Sequence, residues 1–153
     1  MKMRLTNIQD LMDSWEKDSI IDETKVGVAS LNIPRLHSKY SNYLINHNLI
    51  AKKLQYDLSE LRSRKFLYYT GQIPKDELDA LGWEPYHNPK NKIMKTDAAP
   101  YLDTDKDIKE LTLKKLAHDE IVDFCKSIIK ELGTRTYEIK NYIEQQKYFQ
   151  GVI

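Results

Sequence analysis

Apolar and polar positions along this chain alternate with the period of a helix, not of a strand. The first such stretch is short. Ile8, Leu11, Met12 and Trp15 fall on one face, and Thr6 followed by Gln9 has the spacing of a capping box, which predicts an N-terminal helix over 6–19. The next residues, 22–30, hold Gly27 between Val26 and Val28 and fit either a short extended piece or a frayed helix. From Asn32 the pattern becomes long and regular. Tyr40, Leu44, His47, Ala51, Leu54, Leu58, Leu61, Lys65 and Tyr68 are separated by four and three residues in turn, a heptad seam of the kind that packs along another helix. Asn32 reads as a cap, Pro34 as a first-turn residue whose missing N–H is harmless there, and Gly71 as a stop, so a long helix is predicted over 32–71.

Residues 72–105 break the pattern. They hold Pro74, Pro85, Pro89 and Pro100, and are expected to form a loop interrupted by one short helix that starts after Pro74 and stops at Gly82. A second long helix is predicted over 106–150, behind an acidic start near Thr104 or Asp105. Ile121, Cys125, Ile128, Leu132, Arg135, Ile139, Tyr142, Gln146 and Phe149 repeat the four–three spacing, and the register runs on through Gly133. The fold class is therefore all-α: a long antiparallel helical hairpin with a short N-terminal helix and a Pro-rich loop, in a single helical domain over 1–153. A lone hairpin buries little surface. Tyr43, Ile50, Phe124 and Ile129 add apolar faces beside the seams and predict a homo-oligomer; the competing arrangement is a small monomeric bundle with the N-terminal helix as its third member.

Charge narrows the function classes. Lys+Arg is 24 and Asp+Glu is 23, a net +1 that excludes both a histone-like polycation and an acidic tail protein. Cys125 is the single cysteine, so neither an intrachain disulfide nor a cysteine zinc cluster can form, and a reducing compartment fits. No apolar run approaches the roughly 18 residues of a membrane span, and no apolar segment follows the basic start; a cytoplasmic protein is expected. Catalytic signals are missing too. There is no phosphate-binding glycine motif and no nucleophile elbow. Cys125 lies in an apolar stripe, and His37, His47, His87 and His118 lack metal-ligand spacing. No enzyme activity, metal or cofactor is expected.

One stretch stands apart. Over 51–71, Lys52, Lys53, Arg62, Arg64 and Lys65 face only Asp57 and Glu60, and Tyr68 and Tyr69 follow directly. Clustered cations beside aromatic faces suit the phosphates and unstacked bases of single-stranded DNA. Arg62 and Lys65 are one turn apart and share a face. The same residues also read as a solvated helix face ending in two packed tyrosines. Lys90, Lys92 and Lys95 form a second basic set, which either adds phosphate contacts or keeps the loop soluble.

Four short landmarks occur in order: Ile21-Asp22-Glu23-Thr24-Lys25, Tyr68-Tyr69-Thr70-Gly71, Asp105-Lys106-Asp107-Ile108 and Asp123-Phe124-Cys125. With the length and the single cysteine, they resemble the UvsY-type recombination mediator proteins of T-even-like bacteriophages, over roughly Ile8 to Gly151. The resemblance implies a non-catalytic accessory protein in the cytoplasm of the infected bacterial host. It would bind single-stranded DNA and help a RecA-like phage recombinase displace the phage single-stranded-DNA-binding protein, in homologous recombination, replication and repair. It also implies a ring-like homo-oligomer, hexameric or heptameric, with Ile139, Tyr142, Ile143 and Phe149 of the C-terminal helix in the oligomerisation role. The family's DNA-binding lysine and arginine, five and three residues before the first tyrosine, correspond here to Ser63 and Lys65; the first charge is lost, and Arg62 and Arg64 flank its place. The loop over 72–100 looks longer than in the family. The alternative function is a helical oligomeric adaptor or phage assembly factor that does not bind DNA.

Overall fold

The computed structural model describes residues 6–86 and 93–151. Among them there is no strand. Helix α1 is Thr6–Ser19, a 3-10 turn follows at Glu23–Lys25, and α2 runs over Val26–Tyr69. Next come α3 (Lys75–Leu81), a 3-10 turn at Lys95–Asp97, α4 (Ala99–Thr104) and α5 (Lys106–Phe149). No described helix is long and apolar enough to cross a membrane.

Helix α2 starts earlier than the pattern suggests. The Asp22 carboxylate accepts from the Thr24 backbone N–H at 2.9 Å and from its hydroxyl at 2.6 Å, and this turn feeds straight into the helix at Val26. Gly27 and Val28 are helical, neither extended nor frayed. Asn32 is no cap: its side-chain oxygen accepts from Arg35 Nε at 2.6 Å, and Pro34 lies inside the helix. The proline removes one intrahelical hydrogen bond. Packing offsets that loss, because Leu36 and Tyr40 just beyond it are completely buried. Nor does the capping-box reading describe Gln9, whose amide donates forward to Asp13 at 2.8 Å.

The ends of the helices follow their chemistry. Gly71, at φ 70°, closes α2: its N–H donates to the Tyr68 carbonyl and that of Gln72 to the Leu67 carbonyl. Gly82, at φ 67°, closes α3 with the same pair of bonds. Left-handed geometry of this kind favours glycine because it has no Cβ. Asp105 caps α5, its Oδ1 accepting from the N–H groups of Asp107 and Ile108. Helix α5 continues unbroken through Gly133. The expected loop over 72–105 contains α4 as well as α3. Six residues carry little periodicity, and α4 is held by burial of Ala98 and Leu102.

The chain divides into two compact units, Met1–Ile50 with Ala117–Ile153, and Ala51–Leu116; α2 and α5 contribute to both. The core of the first unit is Leu11 of α1, Leu36 and Tyr40 of α2, and Ile121, Cys125, Ile128 and Leu132 of α5. Helix α1 is thus a third member of this core. Phe124 and Ile129, read from the sequence as a spare face, pack against it, whereas Tyr43 and Ile50 stay exposed. Arg135, at a seam position, is buried and donates to the carbonyls of Asp18 and Ser19, capping the end of α1. The second unit buries Ala51 and Leu54 of α2, Leu78 of α3, Leu102 of α4 and Ile108 of α5.

Candidate nucleic-acid interface

The basic stretch of α2 divides into residues that face solvent and one that does not. Lys52, Lys53 and Arg62 are exposed. Arg64 is half-exposed and donates to Glu60 one turn back at 3.1 Å. Arg62 Nη2 donates to Asp103 Oδ1 of α4 at 2.9 Å. Ser63 is exposed.

Lys65 behaves differently. It is only 7 % exposed. Its Nζ donates to Asp107 Oδ2 at 2.7 Å and lies 3.2 Å from Asp105 Oδ2. It also sits 4.4 Å from the centroid of the Trp83 ring, a cation–π distance. Burial works against the ammonium charge, but the two carboxylates overcome it and hold Lys65 above its ordinary value of 10.5. The cation read from the sequence as a phosphate contact is therefore matched inside the fold.

The two tyrosines buttress this network. The Tyr69 hydroxyl donates to Asp105 Oδ2 at 2.6 Å, and that of Tyr68 to the Glu84 carbonyl at 2.7 Å. Tyr68, Tyr69, Trp83, Tyr86 and Tyr101 form a continuous aromatic set with centroids 5.1 to 6.2 Å apart. Burial disfavours ionisation of Asp105, yet the Tyr69 hydroxyl, the Ile108 N–H and Lys65 outweigh it and keep the carboxyl below 3.8. The Tyr69 phenol is pushed up by burial first and by the adjoining carboxylate second. One signal for these partners was present in the sequence: a lysine at a seam position must find a counter-ion, and the acidic start of the second helix supplies it.

The remaining predicted residues are scattered. Lys90 and Lys92 lie outside the described residues, as do His87 and Pro89; Lys95 is exposed in its 3-10 turn. Of the proposed oligomer contacts, Ile139 is buried, Tyr142 is half-buried in a groove with Ile21 and Val26, and Ile143 and Phe149 are exposed. Cys125 is wholly buried, and burial pushes its thiol up to about 11, the state of a core cysteine. Sequence spacing missed one pair: His47 and His118 face each other at 2.8 Å, Nδ1 to Nδ1. Burial first, and then His118, lower the pKa of His47 from 6.5. No set of three or more metal-capable side chains occurs among the described residues.

The fold and this interface define an all-α protein in which a basic helix end is braced by an aromatic and carboxylate network. Its class can be stated more closely. The chain belongs to the UvsY family of recombination, repair and single-stranded-DNA-binding proteins, whose pattern matches residues 14–152. It is 24% identical over 147 residues to the recombination protein uvsY of Enterobacteria phage T4, covering 94% of this chain and 97% of that one. A crystal structure of the bacteriophage T4 recombination mediator protein UvsY superimposes with a TM-score of 0.78 at 22% identity, covering 97% of this chain and 98% of that one. In another lattice of the T4 protein the TM-score is 0.69 at 20% identity, over 93% and 97% of the two chains.

Proposed function

We propose that this protein is a recombination mediator. It binds single-stranded DNA and promotes loading of a RecA-like recombinase onto strands covered by the single-stranded-DNA-binding protein, in recombination, replication and repair. It acts without catalysis, in the cytoplasm of the infected host. The observation that carries this reading is the surface cation run of exposed Lys52, Lys53 and Arg62 with half-exposed Arg64, on one helix of a chain matched to the family over nearly its whole length. Phosphates are the partner such a run attracts without sequence preference. Lys65, with Tyr68 and Tyr69, takes part by fixing the helix end that presents the arginines. Assembly into a ring-like hexamer or heptamer uses the exposed Ile143 and Phe149, with Ile139 and Tyr142 holding their helix in place.

The test is an anisotropy titration of a labelled single-stranded oligonucleotide at low and moderate salt, with duplex as control. Salt-sensitive preference for single strands is expected, and Arg62→Ala with Arg64→Ala should sharply weaken it while the oligomer persists. A second reading, the adaptor that does not bind DNA, is favoured by one observation: Arg62, Arg64 and Lys65 each already face a carboxylate. Absence of binding at low salt would select it.

A further inference from the structure

Arg62 lies on the rim of two shallow grooves of the second unit. One holds Asp103, Lys109 and Thr112; the other holds Ser59, Ser63, Phe66 and Leu67. The first groove brings a second cation and a hydroxyl from α5 to the guanidinium. In the second, two serine hydroxyls border an apolar floor of half-buried Phe66 and exposed Leu67. A single strand presents phosphates alternating with flat, partly apolar rings. The two grooves offer groups suited to each, in adjacent positions, with Arg62 between them. A duplex keeps its bases stacked inside and has no ring to lay on Phe66.

The present partner of Arg62 is Asp103, at 2.9 Å, with the two side chains 47% and 63% exposed. A pair this open contributes little to the fold and is screened by salt. Its carboxylate also lies in the last turn of α4, where the helix dipole disfavours negative charge. Both features make the acceptor exchangeable. A phosphate oxygen can take the Arg62 N–H that Asp103 now accepts, without uncovering any buried group.

We infer that Arg62 and Lys109 form a phosphate position for single-stranded nucleic acid, that Asp103 occupies it as an internal stand-in, and that the Phe66 groove takes the adjoining base. The inference rests on the DNA-binding reading above and adds Lys109, Asp103 and Phe66 to it. Asp103 holds the guanidinium while no nucleic acid is bound, and it weakens binding by competing for it.

The experiment compares the full chain with Lys109→Ala, Asp103→Asn and Phe66→Ser, using labelled oligothymidylate, an abasic strand of equal length, and duplex. Lys109→Ala should bind thymidylate roughly three- to tenfold more weakly and lower the slope of log affinity against log salt by about 0.7 for each phosphate no longer neutralised. Asp103→Asn should bind several-fold more tightly. Phe66→Ser should abolish the preference for thymidylate over the abasic strand, with helicity by circular dichroism confirming its fold. Asp123→Asn removes the same charge from an exposed pair in the other unit and serves as control. Failure of Asp103→Asn to tighten binding, an equal gain in Asp123→Asn, or an unaltered Lys109→Ala would overturn the assignment while leaving the mediator reading intact. Absence of single-strand binding by the unaltered chain would overturn both.

Discussion

A lysine at a seam position is stable only while its counter-ions stay in place. The Asp105 side chain is 4% exposed and Asp107 52% exposed, so the two partners of Lys65 are not equivalent. Lys65→Met leaves the buried Asp105 charge uncompensated and should cost about 3 kcal/mol in urea unfolding. Asp107→Asn should cost under about 1 kcal/mol; equal losses would sink this division. The pH dependence follows from the directions of the shifts. Asp105 is held below 3.8, so its contribution is present above that value and is lost as pH falls through the lower folded value. Lys65 is held above 10.5, so its contribution is present below 10.5 and is lost as pH rises through the higher one. His47 acts in the neutral range. Its folded pKa is below 6.5, which means that the unfolded chain binds a proton more readily and stability falls on acidification from pH 6.5 downward. Thermal midpoints between pH 7.5 and 5 should decline, and His47→Phe should flatten that decline; an unchanged slope would show that the pair does not control it.

Helices this long are decided by their ends and by single residues inside them. Gly71 holds φ 70°, so Gly71→Ala should destabilise by about 1 kcal/mol through left-handed strain. Gly133 is the opposite case. It is helical, and a Cβ there would meet nothing within 4 Å, so Gly133→Ala should stabilise by about 1 kcal/mol. Calorimetric midpoints moving in the same direction for both variants would contradict this distinction. These two glycines also mark what was legible in the sequence. The heptad spacing located both long helices because every seam position from Tyr40 to Tyr68 is buried or half-buried in the fold. Gly71 ended its helix as read. The start of α2 was misplaced because Pro34 resembled a first-turn residue, and only the burial of Leu36 and Tyr40 explains why the helix runs through it. Helix α4 left no trace in the pattern because six residues complete too few turns. At the candidate site the cations were legible as residue types. The pairing of Arg64 with Glu60 lies within one turn of α2, but those of Lys65 and Arg62 depend on carboxylates 42 and 41 residues away, so residue type alone does not tell the cation matched inside from the one paired at the surface.

At the scale of the whole molecule, the net charge of +1 is too small for one subunit to hold a polyanion tightly. With about two phosphate contacts per subunit, log affinity should fall with log salt at a slope near −1.4. The assembly proposed above would change this. If identical subunits engage one strand together, their slopes add, and linked sites gain roughly 10²- to 10⁴-fold in affinity with the same contacts per subunit. Tyr148 and Phe149, 82% and 72% exposed at the end of α5, are large apolar side chains that the monomer leaves uncovered. Large apolar side chains grouped at a helix end suit a contact with another copy of the chain. Ile143→Asp with Phe149→Ser should therefore reduce the sedimenting mass to that of a single chain without loss of helicity. In the same variant, affinity for a long single strand should drop at least a hundredfold, and the salt slope should approach the single-subunit value. A short oligonucleotide that spans only one subunit should bind the variant and the unaltered protein alike. Equal losses for the long and the short strand would mean that these residues touch DNA directly. An oligomer that persists unchanged in the variant would place its contacts elsewhere, with exposed Tyr43 and Ile50 on α2 the next residues to test, and an unaltered chain that already sediments as a single copy would overturn the proposed assembly.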